Sequence, residues 1–150
     1  MARLRFIVAV FLAAALAAPS FAADKNYTRG SVWLATMIKT EPGKQDEYFD
    51  SLKAEYTGLY DEAVKQKVIL SYKILGGDSA NPGDWDVLIL TEIPNYAAID
   101  TIEEKFDAIA AKLFGSLAKS DENDKKSMAD RALIRKLFGG KVLQEIHFAK

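Results

Sequence analysis

The sequence predicts one α+β domain, a four-stranded antiparallel sheet with its main helices on one face, in the order β-α-β-β-α-(α)-β. Three observations lead there. Stretches alternating apolar and polar residues with a period of two take turns along the chain with stretches whose apolar residues recur every three or four positions. Right-handed crossovers turn two such β-α-β halves into a single antiparallel layer. Finally, 150 residues, or about 128 once an export segment is set aside, leave room for one domain.

That export segment is residues 1–22. Arg3 and Arg5 form a positive start, Phe6 to Ala18 is an unbroken apolar run, and Pro19-Ser20 breaks it. Ser20 and Ala22 put small residues at −3 and −1 of a cut after Ala22. The run falls short of the ~20 residues needed to span a bilayer. The expectation is a cleavable signal and a periplasmic or secreted product, with an alanine-rich form that looks bacterial. Residues 23–30 follow as a tail, and 31–150 as the domain.

Ser31 to Thr40 alternates Val32, Leu34, Thr36 and Ile38 with Trp33, Ala35, Met37 and Lys39, a strand apolar on both faces. Pro42-Gly43 ends it and leads into a helix over 45–67. Tyr48, Phe49, Leu52, Tyr56, Leu59, Tyr60, Ala63 and Val64 mark that helix's buried stripe, and Gly58 weakens its middle. A second strand over 68–75, a loop over 76–83 and a third strand over 84–91 form a hairpin. Pro94-Asn95 starts a helix with the stripe Ile99, Ile102, Phe106, Ile109, Leu113. The polar segment 116–126 reads as a loop. Residues 127–138 read as an extra helix anchored by Met128, Leu133, Ile134, Leu137 and Phe138, with Gly139-Gly140 as its left-handed stop. Lys141 to Ala149 is the last strand.

Composition narrows the chemistry. There is no cysteine, which removes disulfides, thiolate metal sites and cysteine nucleophiles, and one histidine, which removes multi-histidine metal sites within a chain. The chain carries 20 basic and 21 acidic side chains; loss of Arg3 and Arg5 leaves 18 against 21, a net −3. This gives no electrostatic footprint for nucleic acid, and no stable membrane anchor is expected after processing.

With this element order, the segment WLATMIKTEPGKQDEYF and the tryptophan-bearing WDVLILTEIPNYAAID, the chain resembles the dimeric α+β barrel superfamily of ferredoxin-like folds over about Ser31 to Lys150. Antibiotic-biosynthesis monooxygenase-like and stress-responsive barrel proteins are members. The resemblance implies two sheets packed face to face, with a pocket inside the barrel or between sheet and helices. The extra helix departs from the simplest members. Because the superfamily includes cofactor-independent oxygenases, haem-handling proteins, isomerases and non-enzymatic members, the resemblance fixes no reaction, and no cofactor is assigned. Independently, helices cover one face of a four-stranded sheet, so a second apolar face calls for a homodimer partner, unless the tail and extra helix cap it.

Candidate ligand-binding residues are Trp33, Tyr72, Lys73, Trp85, Glu145 and His147. His147, near the start of the first strand across the sheet and two residues from Glu145, suits a general base or a haem ligand, or else a solvated residue near the chain end. Lys73 either orients an anionic ligand or points to water. The tryptophans suit a pocket wall or a core, and Tyr48, Tyr56 and Tyr60 suit a packed stripe or a frame for a ligand between helix and sheet. Asp84, Asp86 and the run 121–124 read as solvated turns. Two functions follow: a binding or structural dimer holding a small apolar or aromatic ligand, and an oxygenase-like or haem-handling enzyme.

Overall fold

A computed structural model of the chain describes residues 26–149, so the expected export segment lies outside the described residues. The elements run β1 (Tyr27–Thr40), α1 (Gln45–Glu55), a π-helical turn (Tyr56–Tyr60), α2 (Asp61–Lys65), β2 (Ser71–Gly76), β3 (Val87–Ile93), a 3-10 turn (Tyr96–Ala98), α3 (Ile99–Phe114), α4 (Leu117–Ala132) and β4 (Arg135–Phe148). The strands form one sheet in the order β2-β3-β1-β4, antiparallel at each junction. This is an α+β architecture compatible with a ferredoxin-like fold. It departs from the six-element βαββαβ series in carrying four α-helices among the described residues.

Alternation in the strands decides which side the helices take. Val32 and Ile38 of β1 and Val87, Ile89 and Ile93 of β3 are buried against Tyr48 and Leu52 of α1, Ala63 of α2 and Ile109 of α3. The intervening residues Trp33, Ala35 and Met37 of β1, Leu88 and Leu90 of β3, and Lys73 and Leu75 of β2 pair on the opposite face, which no helix among the described residues covers. The expected two-faced apolar strands are therefore present, with one face open.

The long first helix takes a π-helical turn around Gly58, where the sequence is weakest for an α-helix. Its end has the bonding of a Schellman motif: Val68 N–H donates to Ala63 C=O at 2.9 Å and Lys67 N–H to Val64 C=O at 3.0 Å. Lys67 takes the left-handed position at φ 58, usually given to glycine. This motif absorbs Val68 and Ile69, so β2 starts at Ser71 rather than at 68. The segment 84–86 likewise precedes β3. There Asp86 accepts from Thr40 N–H at 2.9 Å and Thr40 Oγ1–H at 2.7 Å, tying the approach to β3 onto the end of β1. Asp86 is thus a structural clamp, not a solvated turn residue.

The largest correction falls on the extra helix. It spans 117–132, not 127–138, and the segment 116–126 is mostly helical, not a loop. Gly115 at φ 84 ends α3, and the Ser116 hydroxyl caps α4 by accepting from Lys119 N–H. Polarity here marks exposure, not absence of helix. Of the five expected anchors only Ile134 is buried; Leu133 is 79% exposed. Gly139-Gly140 is no helix stop: both glycines are extended within β4, where a Cβ on Gly140 would sit 3.4 Å from the Ala35 carbonyl oxygen. β4 therefore starts at Arg135 rather than 141. At the other end of the chain β1 begins at Tyr27, inside the expected tail.

Truncating Ile38, which is buried between β1, β3 and α1, is expected to remove about 2–5 kcal/mol of stability. Urea unfolding of Ile38→Ala should shift the midpoint at unchanged slope. Leu133→Ala should stay within about 0.5 kcal/mol of the parent.

Candidate functional site

The open face holds a shallow hollow of about 220 Å³ lined by Trp33, Lys73, Leu90, Leu143, Gln144 and Glu145. Register explains why they meet. Trp33 on β1 stands opposite Leu143 on β4, and Lys73 on β2 stands opposite Leu90 on β3. The Lys73 ammonium lies 5.3 Å from the Trp33 ring centroid, a cation–π contact of about 0.5–1 kcal/mol at an exposed site. Lys73 thereby sits above an aromatic wall with its charge available at the rim.

Beside the hollow a polar row crosses all four strands. Glu92 accepts from Ser71 Oγ–H at 2.5 Å on one carboxylate oxygen and from Ser31 Oγ–H at 2.6 Å on the other. The Ser31 hydroxyl also lies 3.1 Å from Glu145, whose carboxylate is 3.5 Å from His147 Nε2. Ser31 has one hydroxyl proton for two carboxylates, and the shorter bond goes to Glu92. Glu145 thus keeps accepting capacity for an incoming donor, and it pairs with His147 when the imidazole is protonated. A bulge builds this corner: between the pairs Arg29–Ile146 and Val32–Gln144, Gly30 and Ser31 oppose Glu145 alone. A Cβ on Gly30 would meet His147 Nε2 and come within 2.9 Å of Glu145 Oε2, so a larger residue there would displace these two side chains.

Of the six candidates, the structure brings Trp33, Lys73 and Glu145 around one hollow and sets His147 at its border. His147 pairs with Thr28, near the beginning of β1 as expected but before Trp33, which pairs with Leu143. Tyr72 and Trp85 lie elsewhere. Tyr72 is on the helix side among Tyr56, Tyr60 and Asp61. Trp85 borders a separate depression beside the 76–86 connection, with Leu75, Asp84 and Leu88. Ser31, Ser71 and Glu92 were not anticipated. Their signal is the pairing of the strand ends, which emerges only when β2 starts at Ser71 and β3 runs to Ile93. Among the described residues no group of three or more His, Asp or Glu side chains is placed to hold a metal ion.

The tyrosines pack rather than frame a cavity. Tyr56 and Tyr60 stack with ring centroids 4.1 Å apart, and Tyr72 and Phe106 meet Tyr60 edge-on. Burial pushes the Tyr56 and Tyr60 phenols upward. Tyr72 is pushed up to about 12, first by desolvation, then by its 2.7 Å hydrogen bond to Asp61 and that carboxylate's charge. A raised phenol stabilises the fold fully below the ordinary value near 10, and this contribution disappears as pH rises toward 12. Alkaline titration of tyrosinate absorbance should show a late-ionising class coincident with loss of folding between about pH 10 and 12. Tyr72→Phe should remove one member of that class.

No family model matches this chain and no curated protein matches it.

Proposed function

We propose that the exported chain acts as a homodimeric, non-catalytic binding protein, enclosing a small apolar or aromatic ligand between the open sheet faces of two copies. The carrying observation is the composition of that face: Trp33, Met37, Leu75, Leu88, Leu90 and Leu143 form an apolar field with a hollow at its centre. Leu75 and Leu143 remain 49% and 47% exposed in the single chain. A contiguous apolar surface of this kind marks an interface or a binding site, and a second copy supplies an identical field related by a two-fold axis. Between two such faces the paired hollows become an enclosed chamber with Lys73 and Glu145 at its edge, an aromatic and aliphatic lining with few polar groups. Export to the periplasm, from the signal-like residues 1–22, completes the reading.

A second reading has its own observation. The imidazole of His147 adjoins Glu145 next to the hollow, an arrangement suited to haem ligation or to proton abstraction from an enclosed substrate.

Light scattering on the purified protein should give a dimer, and Leu90→Lys, which puts a charge in the middle of the face, should give a folded monomer; a monomeric parent overturns the proposal. Haemin titration separates the two readings. The binding reading expects no specific absorption band, whereas a band present in the parent and lost in His147→Ala would favour the haem-handling one.

A further inference from the structure

The charged groups of the open face are satisfied unevenly. Lys73 on β2 pairs with Leu90 on β3, and Glu92, two residues on, stands diagonal to it. Glu92 has a serine hydroxyl on each carboxylate oxygen. Lys73 has no comparable partner. Among the described residues it makes no ion pair, and its ammonium reaches across the sheet to lie 5.3 Å from the Trp33 ring centroid. On β4, Glu145 shares the single Ser31 proton with Glu92 over the longer of two contacts, 3.1 Å against 2.6 Å, and so keeps room to accept another donor.

Lys73 and Glu145 line the same hollow of about 220 Å³. Their strands are the two edges of the sheet, so the donor and the acceptor stand on opposite sides of a floor made by Trp33, Leu90 and Leu143. A cavity of about 150 Å³ holds benzene, so this hollow has room for one ring with short substituents. Facing sheets stand about 10 Å apart, which favours a flat ligand, and Trp33 offers an aromatic surface for it to lie on. Closing a second sheet over the hollow takes the Lys73 ammonium out of water. A desolvated ammonium requires an anion, and none of the ion pairs among the described residues supplies one. Glu92 and Glu145 nearby disfavour a multiply charged anion such as phosphate, whereas a single carboxylate meets Lys73 alone. At the far side Glu145 calls for a hydrogen-bond donor, not a second anion.

We infer that the ligand of the open face is an aromatic carboxylate carrying a hydrogen-bond donor at the opposite end of its ring. The carboxylate pairs with Lys73, the ring lies on Trp33, Leu90 and Leu143, and the far hydroxyl or amino group donates to Glu145. This assignment rests on the dimer proposed above, which closes the hollow, and adds to it the chemical class of the molecule enclosed.

Calorimetric titration of the purified protein with 4-hydroxybenzoate and 4-aminobenzoate tests this, with light scattering on the same samples. Both should bind about tenfold or more tighter than 4-methylbenzoate, which lacks the donor, and 4-methylphenol, which lacks the carboxylate, as expected for losing a charge-assisted hydrogen bond. Lys73→Met should abolish the advantage of 4-hydroxybenzoate over 4-methylphenol, and Glu145→Met its advantage over 4-methylbenzoate. Lys65→Met, an equal loss of charge at an exposed position of α2, should leave binding unchanged. A dimeric parent that binds neither probe, binds the methyl analogues as tightly, or keeps its preference for the carboxylate in Lys73→Met overturns the ligand assignment and leaves the dimer standing. A monomeric parent overturns the dimer and the assignment with it.

Discussion

The structure depends on one mismatch: a four-stranded layer that is apolar on both surfaces, with helices enough for one. Helices α1, α2 and α3 bury Val32, Ile38, Val87, Ile89 and Ile93 and so provide the core of the single chain. The same alternation that points those residues inward points Trp33, Met37, Leu88 and Leu90 outward. One set cannot be made polar by shifting register, since a one-residue slip exchanges the faces and buries an equivalent set. The open face is therefore a consequence of strand composition, and the dimer proposed above would satisfy it with the identical face of a second copy.

Strand β4 bears the same tension at the sheet edge. Its residues are almost all exposed, with Val142 and Ile146 on one face and Leu143 on the other, and Phe148 is 75% exposed at its end. A long apolar edge strand invites uncontrolled pairing. Two irregularities in its register with β1, between Arg29 and Val32 and between Met37 and Ile38, bend that edge, and Lys136 and Lys141 place charges along it. The first irregularity is also the bulge that lifts Gly30 and Ser31 toward Glu145 and His147. One local device thus limits edge pairing and assembles the most polar corner of the open face.

Much of this was legible in the residues. The stripe from Tyr48 through Ala63 and the two-sided apolarity of β1 follow from periodicity alone, because burial of one face imposes it. The same logic failed at α4, since a helix whose inward side carries Ser120, Ser127 and Arg131 has no apolar stripe to detect, and the apolar residues after it, Leu133, Leu137 and Phe138, imitate one. They belong to the turn after α4 and to β4. Trp33, Lys73 and Glu145, each a candidate from the sequence, meet because all three point to the open face from β1, β2 and β4; Tyr72 does not join them, because adjacent residues in a strand face opposite sides and Lys73 takes the open one. The Ser71–Glu92–Ser31 bonds were beyond reach, since they depend on where β2 begins, and that was fixed by Lys67 accepting a left-handed backbone.

What separates α4 from the other helices is the kind of interaction that holds it. The helices α1, α2 and α3 are fixed by shape-matched apolar contact, which tolerates no vacancy. α4 lies mainly along α3, and its lesser contact with α1 runs through the Arg131–Glu55 pair. A charged group at such a junction either receives all its hydrogen bonds from the protein or retains capacity for something else. Glu92 is of the first kind, with a serine on each carboxylate oxygen; Arg131 is paired through one nitrogen with Glu55, and its Nε is sealed from solvent. Binding chemistry in this fold is thus expected where packing is apolar and unpartnered, on the sheet side.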